Sequence, residues 1–250
     1  MIYRGVLVTG TDTGAGKTVI ACGLAALFRR QGMTVGALKP VETGFEKWEG
    51  SDAGRLAEAA GISATDLNGD CHRLRMIVPW TFQAPLAPAE AAAREGLELS
   101  VDRVFHAMDR WTELADIVVV ETAGGVMVPL NPRFTSLDLI QGLELPAVIV
   151  APNRLGVINH ALLTVEALRR RDVGVAAVIL NQLATAPDPS ASSNAALIAR
   201  HGQVPVYEIP RLPEPTPDSA ADALAPYLPA LMADLQRDWE RVVRRYVTRR

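Results

Sequence analysis

Hydrophobic residues along the chain form short runs, rich in β-branched side chains, that alternate with stretches of helical periodicity. The six runs are "GVLVTG", "TVGALKPV", "DIVVVE", "PAVIVAP", "VAAVILNQ" and "VPVYEIP". Runs that are apolar at every position are typical of strands buried on both faces, as in parallel sheets covered by helices. The pattern predicts an α/β fold with a doubly wound, mainly parallel sheet, in which ligands bind at the carboxyl ends of the strands.

Helices are predicted between these runs. Residues 17–31 have apolar side chains at helical spacing and are followed by Gly32, and "INHALLTVEALRRRDVG" has arginines in its last turn. A further helix is predicted over residues 100–114, whereas residues 61–99 show the least regular pattern.

The last part of the chain is predicted to be helical. The segment "PRLPEPTPD" indicates a loop, and a final helix is expected to start near Ser219, although Pro226 and Pro229 interrupt its beginning. A length of 250 residues with 49% hydrophobic content fits a single domain. We therefore expect one domain over residues 1–250, with a core at about 6–212 and a C-terminal helical segment at about 219–250.

Composition limits the classes of partner. With 25 basic and 28 acidic residues the net charge is −3, which gives no basic field for nucleic acid, so any anion site must be local. Two cysteines, Cys22 and Cys71, are too few for a disulfide framework and are expected to be reduced thiols. The start of the chain lacks a signal-peptide pattern, and no apolar run reaches the length of a membrane span. These features predict a soluble, cytoplasmic protein.

The first predicted strand leads through a glycine-rich turn, "GTDTGAGKT" over residues 10–18, into the first helix. Backbone N–H groups in such a turn converge on phosphate oxygens, and the helix dipole favours the same anion. Gly16 would allow close backbone approach, Lys17 would bridge the β- and γ-phosphates, and Thr18 would offer its hydroxyl to Mg²⁺. Five residues separate Gly10 from Gly16, one more than in the usual phosphate-binding loop. The context still predicts a P-loop NTPase-like nucleotide site.

Charged residues at other strand and helix ends are candidates to complete this site. Glu121 follows the apolar residues of "DIVVVE" and would hold a metal ion beside the loop if the two strands are neighbours. Asp52 in "GSDAGRL" is a second metal candidate, although an aspartate here also suits an ordinary helix start. Lys39 in "KPVETG" ends a predicted strand, and Thr43 follows with a hydroxyl. Taken alone, a lysine at a strand end is usually a solvated charge.

These motifs together resemble one enzyme family. The segments "GTDTGAGKT", "KPVETG", "SDA", "PWTF", "VETAGG", "LGVINHALLT", "ILN" and "EIPRL", in this order and spacing, are similar to those of the dethiobiotin synthases, and the likeness spans about residues 6–212. The five-residue spacing of the loop is that family's own version. The resemblance implies an ATP- and Mg²⁺-dependent ligase of biotin biosynthesis that converts 7,8-diaminononanoate and CO₂ into dethiobiotin. It also implies two intermediates, a carbamate and a carbamoyl-phosphate-type mixed anhydride.

The resemblance implies roles for individual residues. Lys17 and Lys39 are implied to be catalytic, with Lys39 neutralising the carbamate, and Mg²⁺ is implied to bind Thr18, Asp52 and Glu121. The implied ATP contacts are Gly14, Ala15, Gly16, Lys17, Thr18, Val19, Asp52, Glu121, Thr122, Ala123, Gly124, Asn181, Gln182, Pro210, Arg211 and Leu212. The implied substrate-binding residues are Thr11, Lys39, Thr43, Gly156, Val157, Ile158 and Asn159.

Two of these assignments concern adenine and the subunit arrangement. Asn181 ends a predicted strand, where its amide could pair with adenine, although a loop asparagine would look the same. Gln182 and Ala184 stand where a guanine-reading motif would have lysine and aspartate, which argues against a GTPase. In the family, the helix start at residues 156–159 receives the carboxylate tail of substrate bound mainly to the other subunit, which implies a homodimer. His160 is expected to cap or pack, and no side-chain role carries over to Gly14, Glu90 or Glu214.

Two other classes remain as alternatives. A partition or membrane-positioning ATPase would have a second lysine early in the loop, where this chain has Thr11, Asp12 and Thr13. The tail keeps that class open because apolar residues fall on one helical face, as in a helix lying on a membrane. Packing of the helix on its own domain or on a partner is the favoured explanation of these residues, which are Trp239, Val242, Val243, Tyr246 and Val247. A cobyrinate-type amide ligase would need a glutaminase domain, and no residues remain after the core to form one.

Overall fold

The structure, a computed structural model, describes residues 3–63, 71–186 and 188–248. Its strands are β1 (Gly5–Gly10), β2 (Val35–Leu38), β3 (Val41–Thr43), β4 (Trp80–Phe82), β5 (Ile117–Gly125), β6 (Ala147–Pro152), β7 (Val175–Asn181) and β8 (Val206–Ile209). Its helices are α1 (Lys17–Arg30), α2 (Asp52–Ala59), α3 (Cys71–Ile77), α4 (Pro88–Arg94), α5 (Asp102–Leu114), α6 (Ser136–Leu143), α7 (Val157–Arg170), α8 (Ala191–Gly202), α9 (Pro217–Leu224) and α10 (Leu228–Thr248).

Six of the described strands form one parallel sheet in the order β2-β5-β1-β6-β7-β8. Each apolar run supplies one of these strands, and β1 and β2 are buried at every position because helices cover both faces. From β1 the chain crosses to β2 at one edge, returns to β5 beside β1, and then continues outward through β6, β7 and β8 on the other side. The predicted doubly wound fold is therefore confirmed.

The register of the central strands decides which residues meet at the carboxyl edge. Val8 of β1 lies opposite Glu121 of β5, and Leu38 of β2 lies opposite Val120 of β5. Lys39, the residue after β2, is therefore brought beside Glu121. Both residues lie next to the loop that follows β1.

The strand predicted from Thr34 to Lys39 within the run "TVGALKPV" is β2, and the end of the run begins a second strand that was not predicted. β2 ends at Leu38, and Val41 begins β3, which pairs in parallel with β4 in a separate two-stranded sheet. Pro40 separates them because proline has no N–H group to donate to a strand ladder. The division places Glu42 and Thr43 on the small sheet, beside the edge of the large one.

Two other regions also differ from the expected elements. The predicted irregular stretch 61–99 contains α3, β4 and α4 within its described part, and the helix predicted at 100–114 is confirmed as α5. The single final helix predicted from Ser219 is instead α9, a 3₁₀ turn at Ala225–Tyr227 and α10. The break falls at Pro226, whereas Pro229 lies in the first turn of α10, where proline is tolerated.

The C-terminal helices pack on the domain through small and apolar side chains. Gly23 of α1 lies so close to α9 that a Cβ there would be 2.8 Å from the Cβ of Ala220. In α10, Leu231 and Leu235 are buried, and the Trp239 Nε1 donates a hydrogen bond of 2.9 Å to the Gly5 carbonyl oxygen. This helix is therefore attached directly to the first strand of the sheet.

The described residues include only part of the predicted thiols and of the apolar face of the tail. Cys22 is a free, buried thiol, and burial raises its pKa to about 12, while the Cys71 side chain lies outside the described residues. The side chains of Tyr246 and Val247, assigned to the apolar face of the tail, also lie outside them. Within the described residues, no helix has the length and apolar character needed to cross a membrane.

Candidate active site

The loop between β1 and α1 is shaped by glycine. Gly16 has φ 93°, and a Cβ there would lie 2.1 Å from the Nδ2 of Asn181, so only glycine fits this position. Gly16 is also the N-cap of α1 and provides no side-chain acceptor for the first N–H groups of the helix. The N-terminus of α1 is therefore suited to an anion.

Lys17 lies folded against this loop. Its Nζ donates a hydrogen bond of 2.9 Å to the Asp12 carbonyl oxygen, and its side chain is buried. Burial lowers the pKa of Lys17, and the negative charge of Glu121 opposes that shift. A ligand phosphate reaching this nitrogen would favour its charged form.

Four side chains converge at the edge formed by β2 and β5. The Lys39 Nζ lies 2.7 Å from the Oε1 of Glu121 and 2.9 Å from the Oδ2 of Asp52. The Thr18 hydroxyl donates to the same Glu121 oxygen at 2.9 Å. The three residues assigned to a metal ion from the sequence are thus brought together, with Lys39 among them.

The charges of this cluster stabilise one another. Burial alone would lower the pKa of Lys39, but the carboxylates of Glu121 and Asp52 outweigh it and raise that pKa above its ordinary value. Burial would raise the pKa of Asp52, but the Lys39 charge and the hydrogen bonds from Lys39 and Thr18 together lower that pKa. Lys39 is therefore a permanent cation in the neutral range, not a proton acceptor.

Two buried polar atoms in this region have no hydrogen-bond partner among the described residues. They are the Oε2 of Glu121 and the hydroxyl oxygen of Thr11. Buried polar atoms are almost always paired, so each is available to a ligand or an ion. The neighbouring Thr122 is different, because its hydroxyl donates a 3.0 Å bond to the Thr9 hydroxyl oxygen in the core.

The four clustered side chains and Lys17 border one cavity of about 770 Å³, whereas Thr11 and Thr122 are not among its lining residues. Its lining includes most of the residues predicted for phosphate, metal and carbamate: Gly14, Gly16, Lys17, Thr18, Val19, Lys39, Thr43, Asp52, Glu121, Ala123 and Gly124. The volume is within the usual range of small-molecule sites.

The chain matches the AAA domain family model over residues 4–219. It is 47% identical over 197 residues to the ATP-dependent dethiobiotin synthetase BioD of Anaeromyxobacter dehalogenans strain 2CP-C, covering 79% of this chain and 85% of that protein. It is 40% identical over 209 residues to the protein of the same name from Phenylobacterium zucineum, covering 82% of this chain and 87% of that protein. It is 37% identical over 218 residues to the ATP-dependent dethiobiotin synthetase BioD of Bacillus subtilis strain 168, covering 86% of this chain and 91% of that protein.

The chain belongs to the ATP-dependent dethiobiotin synthetase family. The family resemblance identified from the sequence motifs is therefore confirmed.

The residues assigned to adenine in this dethiobiotin synthetase family member do not line the cavity of the two lysines. The Nδ2 of Asn181 donates a 3.2 Å hydrogen bond to the Ala15 carbonyl oxygen, directly beneath the loop, and Gln182 bonds to the Ala184 carbonyl oxygen at 3.1 Å. Pro210 and Arg211 are exposed, and Leu212 is half-buried. The base contacts remain a prediction.

The helix start assigned to substrate in the synthetase family is exposed in part, since Val157 is buried and Ile158 is half-buried. Gly156 is the N-cap of α7, and Asn159 is exposed in its first turn. Leu155 before this helix is 79% exposed and Leu163 on it is 61% exposed, so two large apolar side chains lie on the surface of this segment.

Two charged residues of the cavity were missed by the sequence reasoning. Arg55 lines the cavity from α2, three residues after Asp52, a helical spacing that places both on one face and could have revealed it. Glu42 lines it from β3, and nothing in the local sequence distinguished this residue. Glu90 and Glu214, to which the family resemblance assigned no role, are both exposed, and Glu90 forms an ion pair with Arg94.

Proposed function

We propose that this family member forms the ureido ring of dethiobiotin from 7,8-diaminononanoate and CO₂, with Mg²⁺ and with ATP converted to ADP and phosphate. Membership of the family makes the chain an ATP-dependent ligase of biotin biosynthesis. The observation that carries the proposal of ureido-ring formation is the buried Lys39, which lies between Asp52 and Glu121 in the same cavity as Lys17.

The proposed reaction has three steps. One amine of the substrate captures CO₂ as a carbamate, with release of a proton. A carbamate oxygen then attacks the γ-phosphorus of ATP, so that ADP leaves and a mixed anhydride remains. The second amine attacks the carbonyl carbon of the anhydride, loses its proton and closes the ring, while phosphate leaves with the electrons of the broken C–O bond.

Each step sets a demand that named residues meet. The carbamate is an anion that must approach a polyanion, and Lys39 supplies a cation whose raised pKa keeps it charged. Lys17 and the N-terminus of α1 neutralise the transferring phosphoryl group, which requires positioning and charge more than covalent chemistry. The unpaired hydroxyl of Thr11 and the hydroxyl of Thr43 would bind the carbamate or the diamine.

The residues present fit a magnesium ion. Magnesium sites commonly combine one or two carboxylates with substrate phosphates and water. Asp52, Glu121 and the Thr18 hydroxyl provide such a donor set, and the Oε2 of Glu121 has no other partner among the described residues. Bound Mg²⁺ would neutralise the charge of the β- and γ-phosphates.

The nucleotide and dimer assignments extend this proposal. Asn181, Gln182 and residues 210–212 would contact adenine, which is supported by the contact of Asn181 with the loop backbone. The exposed N-terminus of α7 would receive the carboxylate of substrate bound to the partner subunit, so the functional unit would be a homodimer. The exposed leucines at this helix support a surface that another subunit covers.

The test of the reaction is incubation of the protein with diaminononanoate, bicarbonate and MgATP, followed by mass spectrometry. Dethiobiotin and an equal amount of ADP are expected, and both should disappear when the diamine or Mg²⁺ is omitted. ATP turnover without dethiobiotin would contradict the ring-closing proposal. Glutamine hydrolysis measured in parallel would instead indicate an amide ligase.

The shared site is tested with mixed dimers. Asn159→Glu should repel the substrate carboxylate, and Lys17→Ala should disable phosphoryl transfer, so each homodimer is expected to be nearly inactive. After verified subunit exchange about half of the dimers are hybrids with one working site of two, so activity should recover to roughly a quarter of the parent value. Hybrids as inactive as either variant would show that one chain holds the whole substrate.

A further inference from the structure

Glu42 is a buried carboxylate that the proposed reaction does not use. It lies on β3 between Val41 and Thr43, is 8% exposed, and borders the active-site cavity. Its Oε1 accepts a hydrogen bond of 2.7 Å from the backbone N–H of Asp52, and its Oε2 accepts one of 3.0 Å from the N–H of Ala53. A single carboxylate thus bonds the first two residues of α2.

These contacts satisfy donors that the helix cannot satisfy itself. The first N–H groups of an α-helix have no intrahelical partner. In α2 the N-cap Ser51 accepts from the Gly54 N–H at 2.9 Å, while the two N–H groups before it bond to Glu42. Ser51 belongs to the same segment as the helix, whereas Glu42 belongs to a strand of the small sheet. Of these two side-chain caps, Glu42 is therefore the one that connects the helix start to another element.

Asp52 connects Glu42 to the charged cluster of the cavity. The backbone N–H of Asp52 is held by Glu42, and its carboxylate lies 2.9 Å from the Lys39 Nζ. Asp52 is thus held at its backbone from one side and at its side chain from the other. A helix start that moved would carry this carboxylate away from Lys39 and Glu121.

The two contacts use both oxygens of the carboxylate, one for each N–H group. A glutamine in the same position would replace one of these oxygens with an NH₂ group, which cannot accept a hydrogen bond. Burial raises the pKa of Glu42, and the two backbone hydrogen bonds oppose that shift. The amide bonds therefore favour the charged form that the geometry requires.

We propose that Glu42 is a positioning residue, which fixes the N-terminus of α2 so that Asp52 faces Lys39 and the cation. This inference rests on the proposed function, because it takes Asp52 as a ligand of Mg²⁺. Residues that orient metal ligands from behind typically change metal affinity or activity by about 10- to 100-fold when they are replaced. Glu42 would act on the cation without touching it.

The experiment measures cation binding directly. Mn²⁺ is titrated into the full-length protein with ADP and followed by electron paramagnetic resonance, and the Mg²⁺ requirement of ATP turnover is measured separately. Glu42→Gln is expected to weaken Mn²⁺ binding and to raise the half-maximal Mg²⁺ concentration, each by about tenfold. Glu42→Asp, which keeps both oxygens on a shorter side chain, should fall between Glu42→Gln and the parent.

Ser51→Ala is the matched control. It removes the other side-chain cap of α2, at the Gly54 N–H, and should lower the melting temperature without a comparable change in Mn²⁺ binding. A normal Mn²⁺ affinity in Glu42→Gln, or an equal loss in Ser51→Ala, would overturn the positioning role.

Asp52→Asn separates this inference from the proposed function. If it weakens Mn²⁺ binding while Glu42→Gln does not, only the positioning role fails. If Asp52→Asn leaves Mn²⁺ binding unchanged, the metal assignment fails, and the role of Glu42 fails with it. Should Glu42→Gln not fold, Glu42→Asp supplies the same comparison.

Discussion

The cluster of Lys39, Asp52 and Glu121 and the contact between α1 and α9 have opposite chemistry, although both lie against α1. In the first, Lys39 and Glu121 are 4% and 1% exposed and form a buried ion pair. In the second, Gly23 of α1 packs on Ala220 and Leu224 of α9, with exposed ion pairs from Arg30 only at its edge. The desolvation of buried charges offsets most of their attraction, whereas close apolar packing stabilises a fold directly.

This difference indicates what each region is for. A buried ion pair contributes little net stability compared with apolar residues of similar size, so its retention is explained by the chemistry of the cavity it borders. The α1–α9 contact lines none of the active-site cavity and is explained by packing. Substitutions should therefore separate the two regions, with activity lost in one and stability lost in the other.

The largest effect is expected for Lys17→Ala. Loss of the cation at the β- and γ-phosphates should reduce turnover by about a thousandfold, the upper range for removing one preorganised transition-state contact. The melting temperature should stay close to the parent value, because burial already disfavours the charge of Lys17. Steady-state kinetics and thermal unfolding test both expectations, and a parent-like rate would refute the site.

The next effect is expected for Lys39→Gln, which should reduce ring closure by about a hundredfold while ADP still binds. This variant also sharpens the comparison, because Glu121 and Asp52 lose their shared cation. Leaving one side of a buried pair unpaired costs about 3 kcal/mol. Mg²⁺ with ADP should restore much of that loss, which thermal unfolding with and without the two ligands would reveal. Parent-rate formation of dethiobiotin would exclude the carbamate role.

The sequence predicted more of the sheet than of its surroundings. Strands buried on both faces are apolar at every position, so the six main strands were recognisable as runs. β3 and β4 have three residues each, too few to show a period, and their pairing depends on tertiary contact. The second strand was predicted to end at Lys39, but nothing in the sequence after Pro40 indicated that Val41 begins a further strand.

In the candidate site, too, residues positioned by local sequence were predicted more readily than residues positioned by tertiary contact. Lys17 and Thr18 were predicted because the loop and helix that hold them are continuous in sequence. Lys39 and Glu121 were each suspected from strand ends, and only the register of β2 on β5 brings them together. Glu42 was missed because its partners are backbone N–H groups ten residues later, which no side-chain pattern records.

On the other side of the comparison, Gly23→Val should destabilise the fold and leave activity per folded molecule unchanged. An added Cβ would lie 2.8 Å from the Ala220 Cβ and 2.9 Å from the Leu224 Cδ1, so α9 would have to move. Overpacking of this kind costs about 1–3 kcal/mol. Gly23→Ala should cost less, because alanine favours a helix by about 1 kcal/mol over glycine. Urea unfolding measures the series, and an active-site defect in the folded variant would break the separation.

The smallest effect is expected for Trp239→Phe in α10, which contacts the first strand of the sheet. The substitution keeps an aromatic ring but removes the 2.9 Å hydrogen bond to the Gly5 carbonyl oxygen, a loss of about 1 kcal/mol. Turnover should not change, since α10 lies beyond residues 4–219, which match the family model. Trp239→Ala should lose more stability, because the ring also packs against the core.

If α10 instead rested on a membrane surface, neither variant would change the unfolding midpoint. The parent protein would then float with anionic liposomes, while a tail-deleted form would not. A lowered midpoint in both variants without flotation of the parent is the outcome expected for a helix that stabilises its own domain.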